Sequence, residues 1–128
     1  MNTSVCKVLF TVSAAVCFGP AVILLIAPGV LMAVYGLTLD SAGVFLGRVL
    51  GAVLIGLAIL FWSARQSQAK DLHRAAAWAG LIHNALLVIV ILIATISGGI
   101  IWTGWPAAGL HAGIMIAFWF MLANARGT

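Results

Sequence analysis

Very few side chains in this sequence can do chemistry. Among 128 residues there are three histidines, two carboxylates, six Lys or Arg, two cysteines and one tyrosine. Arg48 and His111 each lie a few residues inside one end of a long apolar run, about 8 and 9 Å deep at 1.5 Å per residue. Asp40 stands just before the first of these runs, and Tyr35 precedes Asp40. Tyr35, Asp40, Arg48 and His111 together describe one polar pocket. In it the arginine would fix a carboxylate, a phosphate or another oxyanion, and the histidine would exchange a proton near neutral pH. His83 and Asn84 sit deeper, near the middle of another apolar run. Each group also has a plainer use. Arg48 can extend to a polar interface or pair with Asp40. His111 can be a neutral histidine bonded to a carbonyl, and His83 and Asn84 can link helices by hydrogen bonds.

Several chemistries are excluded. The sequence has no GxSxG, HExxH or phosphate loop, and no nucleophile beside a base. Cys6 and Cys17 are eleven residues apart on one predicted helix. That is about 16 Å along its axis, too far to bridge. His73, His83 and His111 fall at three levels, with His83 and His111 about 10 Å apart in depth. No metal site, paired-histidine haem or other cofactor is therefore expected. Nor does a carboxylate lie inside any apolar run, as a cation-coupled exporter ordinarily needs.

The elements that must position these groups follow from composition. The chain is 65% hydrophobic and 6% charged, with a mean hydropathy of +1.26. A soluble domain is about 25% charged, so this chain lacks a water-facing surface. Six scattered cations, for a net charge of +4, make no nucleic-acid stripe. The expected fold is all-α: one domain over 1–128, an antiparallel bundle of four transmembrane helices at about 5–27, 42–64, 75–96 and 105–124. The first run is too long for a signal peptide and carries Pro20, so it reads as a retained, kinked helix. Residues 30–39 are apolar but too short to span, and read as an interfacial segment. Asp40 is a predicted N-cap. The polar run 65–74 (RQSQAKDLHR) reads as a loop in water, Ser97-Gly98-Gly99 breaks the third helix, and Pro106 falls in the first turn of the fourth.

Lys7, Arg65, Lys70, Arg74 and Arg126 all fall at the N-terminus, the central polar run or the C-terminus. In a four-span protein these share one side. The positive-inside rule then places both termini in the cytoplasm of a multi-pass protein of the bacterial inner membrane. Trp62, Trp78 and Trp119 at one level, with Trp102 and Trp105 at the other, suit two aromatic belts.

Small residues recur at every fourth position. Gly43-Gly47-Gly51 is a double GxxxG, and Ala52-Gly56 marks another face of the same helix. Gly109-Gly113, Ala76-Gly80 and Ala15-Gly19 lie on the others. In lipid such stripes let backbones approach closely. Gly43, Gly47, Gly51, Gly109 and Gly113 are the expected packing interface, within one bundle or between copies.

A proline-ended first helix (IAPGV), then VYGLTL, then FLGRVLGAVLIGLAILFW closing in a basic run, resembles the small four-helix bacterial inner-membrane proteins of unknown function near the DoxX-like families. The most specific part is Arg48 to Ala52. The resemblance implies a four-helix inner-membrane protein and no established reaction. Some relatives are accessory subunits of membrane redox systems. The leading expectation is a non-enzymatic membrane protein that acts by helix packing. It would self-assemble or join a larger membrane complex, with the bilayer, a lipid or a small apolar molecule as its ligand. The alternatives are a compact isomerase or hydrolase acting on a hydrophobic substrate through Arg48 and His111, and a small exporter or channel.

Overall fold

A computed structural model describes residues 3–124. The chain forms α1 (Thr3–Ile26), α2 (Pro28–Ala33), α3 (Ser41–Gln66), α4 (Lys70–Ile96) and α5 (Gly104–Asn124), with no strand among the described residues. By length and composition α1, α3, α4 and α5 are each apolar enough to cross a membrane. Arg126, one of the cations used for orientation, lies outside the described residues.

The helix ends have local causes. Ala27, held out of helical geometry before a proline, separates α1 from α2, and Pro28 opens α2, where it needs no N–H donor. Asp40 caps α3: its Oδ1 accepts from Gly43 N at 2.7 Å. Beyond α4 the chain turns through Gly98 at φ 75°. Gly98 N donates to the Thr95 carbonyl and Gly99 N to that of Ala94, the two bonds of a Schellman closure. Asp40→Ala is expected to cost about 1 kcal/mol, whereas Asp40→Asn keeps a capping oxygen and most of that stability. Denaturant titration of the two variants in micelles measures this, and equal stability of the alanine variant and the parent would count against the cap.

One expectation needs correction. The polar run 65–74 is not a loop: α3 continues through Gln66, α4 starts at Lys70, and only residues 67–69 lie between them. Arg, Gln, Lys and Ala are good helix formers, so the helices outlast their apolar stretches. The short connection is held by Ser67 Oγ, which accepts from Ala69 N at 3.0 Å. His73 Nε2 donates to the carbonyls of Ala64 and Ser67 at 2.8 and 3.0 Å, closing the free end of α3. The 30–39 segment, in turn, is a six-residue helix at 28–33 followed by a turn at Gly36 (φ 75°).

The helices pack chiefly as two pairs, α1 with α3 and α4 with α5. In the first pair a Cβ at Gly51 would lie 2.9 Å from the Ala21 carbonyl oxygen, and one at Gly47 2.9 Å from Pro28 Cβ. These two glycines thus serve contact within the chain. Gly43 lies against its own cap residues Leu39 and Asp40. Gly56, Gly109 and Gly113 have no neighbour within 4 Å of a Cβ position. In the second pair the Phe118 ring occupies the space left by Gly80.

The pairs are joined at two places. At one, Phe10, Phe61 and Phe118, all fully buried, come from three helices with ring centroids 5.6–6.4 Å apart. His73 of the fourth lies 5.5 Å from Phe10. At the other, Ile101 N donates to the Tyr35 carbonyl at 3.1 Å and Thr103 Oγ1 to that of Val34 at 2.8 Å. The space between the two junctions is not filled.

Candidate functional site

A partly open cavity of about 350 Å³ lies between the pairs. Pro20 and Cys17 of α1, Leu50 and Leu54 of α3, and Leu87 and Ile91 of α4 give it apolar walls. Phe61 ties it to the aromatic junction, and Tyr35 and Ile100 to the opposite one. The volume is in the range of small-molecule sites, which are mostly apolar with a few placed polar groups.

Those polar groups are Ser13, Tyr35, His83, Asn84 and His111. Asn84 is 4% exposed and bonded at both ends of its amide: its Nδ2 donates to the Gly80 carbonyl at 2.7 Å, and its Oδ1 is 2.7 Å from His111 Nδ1. Ser13 is 2% exposed, and its hydroxyl has no hydrogen-bond partner among the described residues. A buried hydroxyl left alone costs about 1–3 kcal/mol on protein scales, so such a group normally has a partner. Helix α1 holds Ser13 there because its buried face, Phe10, Ser13, Ala14, Cys17, Ala21 and Leu24, is the one turned inward.

The structure brings four sequence-predicted residues to this cavity: Tyr35, His83, Asn84 and His111. It does not bring Asp40 or Arg48. Asp40 is exposed and engaged with Gly43 N, and Arg48 is exposed and outside the lining. An oxyanion pocket built on Arg48 and His111 is therefore not the arrangement seen. Among the described residues no Lys, Arg, Asp or Glu lines the cavity, so its polar chemistry rests on hydroxyl, amide and imidazole groups.

The expected 10 Å step between His83 and His111 is also corrected, since His111 touches Asn84 directly. Counted from the contact of Gly80 with Phe118, Asn84 is about 6 Å along α4 and His111 about 10 Å along α5. Two side chains span that difference. Among the described residues no three His, Cys, Asp or Glu are grouped so as to hold a metal ion. Sequence reading missed Ser13 and Cys17 as cavity residues. The signal for Ser13 is only one hydroxyl among several on α1, beside Ser4 and Thr11.

The model of one family, a domain of unknown function (DUF8292), matches residues 10–126 of the chain. No curated protein and no solved structure matches it.

Proposed function

The chain belongs to the DUF8292 family, and from that premise we propose that it is a multi-pass membrane protein that holds a small, largely apolar ligand between its two helix pairs. The observation that carries this reading is the unpartnered, buried hydroxyl of Ser13 facing the same cavity as the Asn84–His111 pair. A site of one or two placed polar groups in apolar walls orients an amphiphile without demanding charge.

A bilayer setting is supported by the outer surface. Phe18 on α1, Phe45 and Val53 on α3, Leu86 and Ile93 on α4, and Phe120 on α5 are all more than half exposed. Water tolerates no apolar surface this continuous on a lone protein. In this reading α1, α3, α4 and α5 form an antiparallel transmembrane bundle in the bacterial inner membrane. Lys7, Arg65, Lys70 and Arg74 mark its cytoplasmic side. The likeness to the DoxX-like proteins is consistent with that setting. The absence of Arg48 from the cavity weighs against the isomerase or hydrolase alternative.

One observation favours a second role beside this one. Gly109 and Gly113 lie on an exposed face of α5 with open space around them, where another helix can approach closely. Self-assembly, or docking into a larger membrane complex, would use that face and not the Gly47–Gly51 stripe.

Native mass spectrometry of the protein ejected from native-lipid nanodiscs tests the ligand reading. The wild type is expected to carry a defined small mass. Ile91→Trp, which fills the cavity from α4, is expected to arrive folded and without it. A bare wild type, or the same mass on the tryptophan variant, would overturn the reading.

A further inference from the structure

The cavity's hydrogen bonds specify more than its volume does. The Gly80 carbonyl can only accept, so the Asn84 amide must turn Nδ2 toward it. That orientation leaves Oδ1, also an acceptor, facing His111 Nδ1 at 2.7 Å. His111 must then carry its proton on Nδ1. A neutral imidazole protonated there has a bare lone pair on Nε2, and no described residue bonds to that atom. At His111 the α4–α5 side of the cavity therefore offers an acceptor, and His83 beside it on α4 lines the same wall and can donate or accept. The α1 side ends in the Ser13 hydroxyl, nearly wholly buried and without a partner among the described residues.

We infer, resting on the ligand reading above, that the occupant is an uncharged lipid-soluble alcohol whose hydroxyl donates to His111 Nε2. The competing headgroups fit less well. A ketone or ester can accept from Ser13 but has nothing to give Nε2. A carboxylate would enter a cavity with no Lys or Arg in its lining, at a large desolvation penalty. A hydrocarbon leaves both polar walls unsatisfied, whereas a hydroxyl is donor and acceptor at once and serves either wall. The volume sets the size. At roughly 30 Å³ per non-hydrogen atom, the share of one water in the liquid, 350 Å³ holds about a dozen such atoms.

The test uses four photoactivatable ten-carbon probes with a mid-chain diazirine: a primary alcohol, a methyl ketone, a carboxylic acid and an alkane. Each is irradiated with the protein in lipid nanodiscs, and the labelled residues are mapped by peptide mass spectrometry. The alcohol is expected to label cavity residues of α1 and α4 about tenfold more than the alkane, the size of one net hydrogen bond. Ser13→Ala, a change a helix accepts readily, is expected to lower alcohol labelling and leave alkane labelling unchanged. Labelling of the cavity by the alkane as strong as by the alcohol overturns the headgroup inference and leaves the ligand reading standing. So does a clear preference for the ketone or the acid. Labelling by all four probes confined to the outer surface overturns the ligand reading itself, and the inference with it.

Discussion

Gly80→Ala is expected to destabilise the protein by about 3 kcal/mol, the upper end of what overpacking usually costs. The added methyl group would fall within the Phe118 ring, which is fully buried. The ring has little freedom to withdraw, because its far side meets Phe61 at 5.6 Å and Phe10 at 6.0 Å between centroids. The cost therefore falls at a junction to which α1, α3, α4 and α5 all contribute a ring. The physical cause is checked by a double-mutant cycle with Phe118→Leu, which removes part of the ring. Unfolding in mixed micelles, followed by tryptophan fluorescence, is expected to show a coupling of about 1–3 kcal/mol in the sense of rescue. Additive effects of the two changes would mean that the ring and the glycine do not oppose each other, and the account of this junction would be wrong.

That junction also shows what hydropathy leaves out. The four long helices, the Asp40 cap and the break at Ser97-Gly98-Gly99 all follow from local composition and backbone chemistry, and the structure has them. Which faces meet does not follow, because every face of these helices is apolar and no polar stripe separates inside from outside. Gly43-Gly47-Gly51 reads as one stripe, yet Gly51 packs on α1, Gly47 chiefly on Pro28 at the start of α2, and Gly43 only on its own cap. Gly80, one member of a short Ala76-Gly80 pattern, accommodates the largest buried ring on α5. Arg48 reads as a pocket residue because an arginine in an apolar run is costly. In the structure it is exposed and outside the cavity lining, and its long side chain can extend toward the polar interface instead. Asn84 and His111 are legible as unusual residues, but their contact is not, since it depends on where two helices of different length cross.

The architecture explains why the cavity lies where it does. Ring packing holds the helix pairs together at one end, and backbone bonds between the turns at Tyr35 and Ile101 hold them at the other. The rings pack closely where a small residue leaves room for them, as Gly80 does for Phe118, and hydrogen bonds draw in the turns at the other end. Between the two junctions the cavity lining is mostly large and apolar, Leu50, Leu54, Leu87, Val90 and Ile91 among it, with Ser13, Cys17 and Ala94 as smaller members. The pairs stay apart over this stretch, and the polar groups of Ser13, Asn84 and His111 fall within the gap.

Gly51→Leu is expected to separate α1 from α3, and with them the wall of the cavity that carries Ser13. A Cβ at this position would lie 2.9 Å from the Ala21 carbonyl oxygen and 3.1 Å from both Leu24 Cβ and Leu25 Cγ. A backbone oxygen cannot turn aside as a side-chain tip does, so the helices must move. The loss is expected to exceed about 3 kcal/mol, beyond ordinary overpacking, and little folded protein should survive extraction. Gly113→Leu provides the contrast. It adds the same bulk to an exposed position with nothing within 4 Å, so thermal stability in detergent should stay within about 0.5 kcal/mol of wild type. Under the assembly role, the same Gly113 variant should shift the particle mass in light scattering toward that of a single chain, because leucine holds a neighbouring helix away. A Gly51→Leu protein as stable as wild type would refute the close α1–α3 contact. A Gly113→Leu protein with unchanged mass would remove the α5 face as the site of assembly.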